Sequence, residues 1–154
     1  MNIRECKLED AAAVARVFTE SVRDIDAADY SLEQLAAWAP GRPDMEYWRD
    51  QLSRLIGFVA EHDSKIVGFV TFEPNGHIHH LYVRSGFQRR GVASALCRRV
   101  EQEALVRGAH RIFTEASITA WPFFERIGFQ MIAPQEVALR GVSFTNYRME
   151  RPLR

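Results

Sequence analysis

Apolar residues recur along this chain with two different periods, which predicts a mixture of strands and helices. Residues 77–83 alternate with a period of two, as in a strand. After a break at residues 84–87, apolar side chains recur at every fourth position along one helical stripe, at Val92, Leu96, Val100 and Ala104. The central unit is therefore predicted to be a strand, a basic glycine-containing loop and a helix.

The same two periods predict further elements on both sides of this central unit. Helices are predicted at residues 8–23, 32–38, 45–55 and 120–127, and strands at residues 2–6, 56–61, 65–73, 111–116, 129–132 and 142–149. Ser31 and Gln34 have the spacing of a capping box. Asp44 and Thr119 are predicted to cap two of the other helices, and residues 26–30 are predicted to be a polar break.

The order of these elements predicts a mixed α/β fold with helices on both faces of a sheet. One long helix connects the strands at residues 77–83 and 111–116, so these two strands are expected to be parallel. The other neighbouring strands are expected to be antiparallel. A chain of 154 residues, 47% of them hydrophobic, suits one domain that spans residues 1–154.

Composition and charge narrow the classes of function. The formal net charge is zero, so we expect no bulk attraction to nucleic acid. No apolar run approaches the length of a membrane span, and the N-terminal residues lack a secretory apolar segment, so a cytoplasmic protein without membrane contact is expected. Cys6 and Cys97 have no metal-ligand spacing, and no metal is predicted.

The basic loop before the central helix has features that suit the binding of an anion. The first N–H groups of a helix have no partner within it, and together with the helix dipole they attract anions such as phosphate. Gly91 leaves the backbone open to a ligand, while Arg89 and Arg90 add positive charge. The alternative is an ordinary strand–turn–helix joint with a solvated basic turn.

The sequence Gln88-Arg89-Arg90-Gly91-Val92-Ala93 resembles the Q/R-x-x-G-x-G/A signature of the GNAT superfamily of N-acetyltransferases. The resemblance extends over nearly the whole chain, from the first strand to the closing strand pair. It implies a mixed, mostly antiparallel central sheet of about seven strands with helices on both faces. It also implies that the two parallel strands splay apart and that acetyl-CoA enters the gap between them.

The resemblance further implies which residues hold acetyl-CoA. The loop amides would bind its pyrophosphate, the strand before the loop would offer its backbone to the pantetheine arm, and the N–H of Val83 would stabilise the oxyanion. The implied cofactor-binding residues are Leu81, Val83, Gln88, Arg89, Arg90, Gly91, Val92, Ala93, Ser94, Ser117 and Phe124.

Two of these positions depart from the pattern of the family. Phe124 stands where many members have a tyrosine that protonates the leaving thiolate, and Ser117 stands where many have an asparagine. Three outcomes are therefore open. The thiolate leaves without a dedicated acid, Tyr147 or Tyr30 reaches in as the acid, or the protein binds acetyl-CoA and catalyses poorly.

His77 and His79 are the candidates for removing the proton from an amine. They lie two residues apart on a predicted strand, so their side chains share a face, and histidine titrates near neutral pH. The alternative is a pair of solvated or hydrogen-bonded structural histidines. The H-x-H spacing resembles the paired histidines of arylalkylamine N-acetyltransferases. His80 is expected to face the other way and to be structural.

The segment between the first two strands varies most in GNAT proteins and helps to shape the acceptor pocket. Its large aromatic residues either pack the short helices or line an aromatic-walled substrate site, and they are Tyr30, Trp38, Tyr47 and Trp48.

The expected function is acetyl-CoA-dependent transfer of an acetyl group directly to an amine of a small molecule or peptide. A non-catalytic acyl-CoA-binding regulatory module and transfer of a longer acyl group are the alternatives. A homodimer is possible.

Overall fold

The computed structural model describes residues 1–25 and 28–153, so Asp26 and Ala27 of the predicted polar break lie outside the described residues. Within the described residues the strands are β1 Asn2–Glu5, β2 Ile56–His62, β3 Lys65–Phe72, β4 Ile78–Val83, β5 Arg111–Ala116, β6 Gln130–Leu139 and β7 Val142–Pro152. The helices are α1 Ala11–Arg23, α2 Leu32–Trp38, α3 Met45–Arg54, α4 Val92–Val106 and α5 Trp121–Arg126, and a turn of 3-10 helix at Leu8–Asp10 leads into α1.

The strands form two antiparallel sheets, in the orders β1-β2-β3-β4 and β5-β7-β6. The prediction of one seven-stranded sheet is therefore wrong, because β4 and β5 do not form a ladder. They touch at one parallel bridge between His77 and Phe113. At the next position the hydroxyl of Thr114, a side chain, donates to the carbonyl oxygen of Ile78 at 3.1 Å, in place of a backbone partner.

The predicted apolar stripe of α4 is confirmed. Its four residues are buried against the first sheet together with large side chains such as Phe58, Phe72 and Ile78. Helices α1 and α3 cover the other face of that sheet, where Val14 and Trp48 pack with Phe69. Helices thus lie on both faces, as predicted. Within the described residues, no helix combines the length and the apolar character that crossing a membrane requires.

Two of the three predicted helix caps are confirmed, at Ser31 and at Asp44, and the cap predicted at Thr119 is wrong. The Ser31 hydroxyl accepts from the Gln34 amide at 3.0 Å, and the Gln34 side chain accepts from the Ser31 amide at 2.9 Å, which confirms the capping box. Thr119 does not cap α5, because its hydroxyl donates to Asp29 instead. The Ser117 hydroxyl accepts from the Ala120 amide just before α5.

The last hairpin is longer than predicted. Strand β6 continues to Leu139, past Pro134, because β6 is the edge strand of its sheet and an edge strand tolerates a residue without an N–H donor. Most of its side chains are exposed, so the apolar alternation that revealed the other strands is missing here.

Gly76 precedes the residue that forms the bridge between the two sheets. Replacement of Gly76 by alanine should destabilise the protein. Its φ is +96°, and an added Cβ would overlap the carbonyl oxygen of Arg111. We expect Gly76→Ala to lower the free energy of unfolding by about 3 kcal/mol, measured by urea denaturation.

Gly86→Ala is the matched control, since Gly86 has a similar φ of +88° and no atom within 4 Å of an added Cβ. It should lower the free energy of unfolding by only about 1 kcal/mol, because alanine there would be strained only by the left-handed backbone conformation. Equal costs for the two variants would show that the close approach at Gly76 is unimportant.

Candidate active site

The loop that precedes α4 exposes the start of the helix. Gly91 is the N-cap of α4, with a φ of 81° and no side-chain cap, and Arg89 also has a positive φ of 62°. No atom lies within 4 Å of where a Cβ of Gly91 would be. The first N–H groups of α4 have no partner within the helix, so this end of a 15-residue helix can accept an anion.

A cavity of about 700 Å³, here called the loop cavity, lies between this loop and α5. The predicted cofactor-binding residues that line it are Leu81, Val83, Gln88, Arg89, Gly91, Val92, Ala93, Ser94 and Phe124. Arg90 is placed differently, because its guanidinium lies over the ring of Phe87, 5.3 Å from the ring centroid.

A second cavity of about 210 Å³ lies where β4 and β5 diverge, and it is here called the strand gap. Ser117 lines it. It shares wall residues with the loop cavity, among them Val83, Gln88 and Phe124. The two cavities therefore adjoin, with the start of α4 beside one and the edge of β4 beside the other.

The backbone of β4 turns alternate peptide groups toward the strand gap. The N–H of Arg84 donates to Val67 of β3 at 2.8 Å, so alternation directs the N–H and C=O of Val83 to the opposite edge. The carbonyl of Val83 accepts hydrogen bonds from the side chains of Gln88 and Ser21, at 3.3 and 2.9 Å. Val83 thus presents its peptide group on the side where β4 has no neighbouring strand.

Strand β4 has a bulge that the regular alternation in the sequence did not reveal. Thr71 pairs with His80, but the next residue of β3, Phe72, pairs with Ile78. His79 is therefore an extra residue without a partner on β3. His79 borders the strand gap, and it also borders a third cavity that Trp38 and Tyr47 line. The bulge is what places this histidine at the junction of two cavities.

His80 has the structural role predicted for it. It is buried, its Nδ1 lies 2.7 Å from the hydroxyl of Thr71, and its Nε2 lies 3.1 Å from the hydroxyl of Tyr47. Burial lowers the pKa of His80 to about 4, so the ring is neutral at physiological pH.

His77 and His79 lie together, as predicted, with ring centroids 4.5 Å apart. Two carboxylates that the sequence analysis missed complete a histidine cluster of Glu73, His77, His79 and Glu115. Glu115 lies 2.7 Å from Nε2 of His77, and Glu73 lies 3.3 Å from its Nδ1 and 3.4 Å from Nε2 of His79. The hydrogen bond to Glu115 raises the pKa of His77, and in return lowers that of Glu115.

The sequence pattern alone indicates little about the positions of Glu73 and Glu115. Glu73 precedes His77 by four residues, across the turn that opens β4, and Glu115 reaches it only because β5 runs parallel beside that turn. Atoms of Glu73, His77 and His79 lie within 4.8 Å of one another, a spacing that a small cation could also use. The expectation that no metal binds stays a prediction.

The third cavity, of about 300 Å³, is here called the aromatic cavity. Trp38, Tyr47 and Trp48 line it, together with Phe18 and Tyr82. It shares Trp38, His79 and Tyr82 with the strand gap.

Two tyrosines named in the sequence analysis lie elsewhere. Tyr30 is buried, and its hydroxyl accepts from the amide of Ile118 at 2.7 Å. Tyr147 lies on β7 opposite Ala116 and packs on Trp121, with ring centroids 6.0 Å apart. Among the described residues, neither ring lines the strand gap. Phe124 does line it, and its ring has no proton to donate.

A sequence profile of the acetyltransferase (GNAT) domain matches residues 26–151. The chain belongs to the GNAT family of acetyltransferases. The uncharacterized N-acetyltransferase YafP of Escherichia coli (strain K12) is 35% identical over 149 residues, which cover 97% of this chain and 94% of YafP. The resemblance seen in the signature around Gly91 is thereby confirmed, and with it the assignment to the acetyltransferases.

Solved structures agree with this GNAT assignment. A GCN5-related N-acetyltransferase from Rhodopseudomonas palustris superposes with a TM-score of 0.94 at 32% identity, covering 99% of this chain and 95% of the other. The acetyltransferase yncA of Salmonella typhimurium, solved with acetyl-CoA, has a TM-score of 0.72 at 20% identity, covering 100% and 94%. At that identity the second similarity shows the fold alone.

The pair formed by His77 and Glu115 should make the stability of the protein depend on pH. Because the folded pKa of His77 is raised, its contribution is complete below its ordinary pKa of about 6.5 and is lost as pH rises through the folded value. We expect Glu115→Gln to lower the free energy of unfolding by about 0.5–1 kcal/mol near pH 6, since the pair is partly exposed.

That loss should shrink as the pH rises above the folded pKa of His77, because the ring is then neutral in both states. Urea denaturation at several pH values measures it. Glu125→Gln, at an exposed position of α5, removes the same charge and is the control. A loss for Glu115→Gln that does not change with pH would contradict the charged pair.

Proposed function

We propose that this GNAT protein is an acetyl-CoA-dependent N-acetyltransferase that transfers acetyl directly to an amine of a small molecule or peptide. The observation that carries the proposal is the series of three adjoining cavities. The loop cavity begins at the free amides of α4, the strand gap follows the edge of β4, and the aromatic cavity begins at His79. A long donor and a separate acceptor can therefore meet at one residue.

The donor end of this series suits acetyl-CoA. The helix start with Gly91 would hold the pyrophosphate, and the divergent edge of β4 would hold the pantetheine arm beside Leu81 and Val83. The cofactors of related folds support this assignment. They are the acetyl-CoA of yncA and the coenzyme A of the PaiA N-acetyltransferase from Thermoplasma acidophilum, whose fold matches with a TM-score of 0.79 at 18% identity.

Direct transfer needs a neutral amine, a stabilised oxyanion and a leaving thiolate. The amine nitrogen attacks the thioester carbonyl, a C–N bond forms, and the carbonyl electron pair moves to oxygen. The N–H of Val83, directed to the strand gap, would donate to that oxyanion. When the intermediate collapses, the C–S bond breaks and coenzyme A leaves as a thiolate.

The amine proton would pass to His79 at the junction of the strand gap and the aromatic cavity. Behind His79, Glu73 contacts both histidines, and His77 is held between two carboxylates. His79 is therefore the proposed base, while His77 and the carboxylates orient it and carry the proton onward. Histidine at such a junction suits general-base catalysis near neutral pH.

The leaving thiolate has no donor at Phe124. A thiol with an ordinary pKa of about 8.5 is a tolerable leaving group at neutral pH, so we propose that the thiolate leaves without a dedicated acid. Tyr147 stays the alternative donor, although its ring packs on Trp121.

A regulatory module that only binds acyl-CoA is the less favoured alternative. Binding alone gives no reason for a histidine cluster at the mouth of a second, aromatic cavity. Thiol release from acetyl-CoA in the presence of amines, polyamines, amino acids and peptides separates the two functions. Saturable binding of acetyl-CoA with no amine-dependent release would favour the module.

Gly91→Glu should abolish binding of acetyl-CoA, because it places bulk and negative charge where the pyrophosphate would bind. We expect the dissociation constant, measured by isothermal titration calorimetry, to rise by about 100-fold or more. Gly91→Ala carries the backbone strain without the charge and is the control. If Gly91→Glu binds acetyl-CoA as tightly as Gly91→Ala does, the loop is not the phosphate site.

His79→Ala should lower kcat/KM for the amine by about 100-fold or more, with a smaller effect on the dissociation constant of acetyl-CoA. Rates of thiol release from about pH 6 to about pH 9 measure this loss. His110→Ala removes an exposed histidine at a distance from the three cavities and is the control. Wild-type kcat/KM over that whole range, in both His79→Ala and His77→Ala, would refute the proposed base.

A further inference from the structure

Five aromatic side chains form much of the wall of the aromatic cavity, and they are Phe18, Trp38, Tyr47, Trp48 and Tyr82. The rings of Phe18 and Tyr82 meet edge to face with centroids 4.9 Å apart, and Phe18 also contacts Trp48 at 5.1 Å. Tyr47 packs on Trp48 at 5.2 Å, and the indole N–H of Trp38 donates to the hydroxyl of Tyr82. Because these rings hold one another, the cavity is preformed, and aromatic ligands bind well against such faces.

The same cavity also contains positive charge that has no ion-pair partner in the described part of the chain. Arg42 and Arg140 line it, and neither has an ion-pair partner within residues 1–25 and 28–153. Asp44 also lines it, but the carboxylate of Asp44 accepts from the amide of Tyr47 at 3.0 Å as the cap of α3. Two arginines and one aspartate therefore line the cavity, and the carboxylate of the aspartate already accepts a hydrogen bond.

Arg140 is the better placed of the two arginines. It lies in the turn between β6 and β7, and one guanidinium nitrogen donates to the carbonyl of Ala37 at 2.6 Å. That bond anchors the side chain against α2 and leaves most of its five N–H donors available. Burial raises the pKa of the Tyr47 hydroxyl, the positive charge of Arg140 opposes that rise, and the negative charge of Asp50 adds to it.

Resting on the proposed function, we infer that the acceptor is a small amine with a planar apolar body and a carboxylate group, and that Arg140 binds the carboxylate. Its ring would lie against the aromatic walls, and its amine would meet His79. A guanidinium binds a carboxylate through two parallel N–H···O bonds, which gives orientation as well as affinity.

This charge distribution also disfavours other amines. Polyamines and lysine-rich peptides bring several positive charges into a cavity lined by two arginines that have no ion-pair partner among the described residues. Like charges brought together cost affinity, so such acceptors are selected against.

Benzylamine and para-(aminomethyl)benzoate form a matched pair of acceptors that differ only in the carboxylate. We expect wild-type protein to acetylate the carboxylate-bearing amine with a kcat/KM about 10- to 100-fold higher, the effect of one charged hydrogen-bonded contact. In Arg140→Gln the ratio of the two kcat/KM values should fall to near unity. Arg98→Gln, which removes an exposed arginine of α4, should keep the wild-type ratio.

Inhibition by benzoate tests the carboxylate contact separately, because benzoate is not itself acetylated. It has the ring and the carboxylate but no amine, so it should inhibit acetylation competitively against the amine. The inhibition should weaken by about 10-fold or more in Arg140→Gln.

Equal use of the two amines by wild-type protein, or a ratio that survives in Arg140→Gln, would overturn the inference. So would a wild-type protein that acetylates neither of these amines but acetylates a polyamine or a basic peptide, and the proposed function would then still stand. Acetyl-CoA binding without turnover of any amine would overturn both the proposed function and the inference.

Discussion

The site depends on the way β4 and β5 separate after the bridge between His77 and Phe113. Gly76 permits the chain to pass close to β5, where its carbonyl accepts from the amide of Phe113 at 3.0 Å. One residue further on, Thr114 occupies the carbonyl of Ile78 with its side chain, and no ladder continues. Beyond that point, the peptide groups of β4 that face away from β3 have no strand beside them in the described part of the chain. The N–H of Val83 on this edge can therefore bind a ligand, whereas in a continuous sheet it would already be paired.

The histidine cluster lies at the point where this separation begins. The ring of His77 stacks on Phe113 with centroids 4.6 Å apart, so the residue that joins the two sheets also anchors the cluster. Carboxylates on both sides satisfy its two nitrogens, which fixes the orientation of the ring. His79 has more freedom because the bulge leaves it without a strand partner on β3. His77 is thus fixed by its carboxylate partners and lies next to the exposed His79. This arrangement suits the transfer of a proton from a bound amine toward solvent.

The features that the sequence predicted are those that depend on neighbours in the chain. The apolar stripe of α4, the capping box at Ser31 and the loop around Gly91 are local patterns, and the structure has all three. The bulge at His79, the two carboxylates and the split into two sheets depend on contacts between distant segments. A side chain such as Thr114 replaces a backbone partner only once β4 and β5 are adjacent. No period in the sequence records that replacement, so regular alternation and one sheet of about seven strands were predicted, and the splaying of β4 from β5 was expected only from the family resemblance.

The loop cavity and the aromatic cavity draw on different parts of the chain. Residues 81–94 and 119–127 supply the loop cavity, whereas the aromatic cavity takes its walls from α1, from residues 38–48 and from the turn between β6 and β7, and meets β4 only at residues 79–82. Substitutions in those outer segments can therefore accumulate without disturbing the backbone that is proposed to bind the donor. During divergence of the family, such a division lets one lineage exchange its acceptor while its thioester chemistry is inherited unchanged.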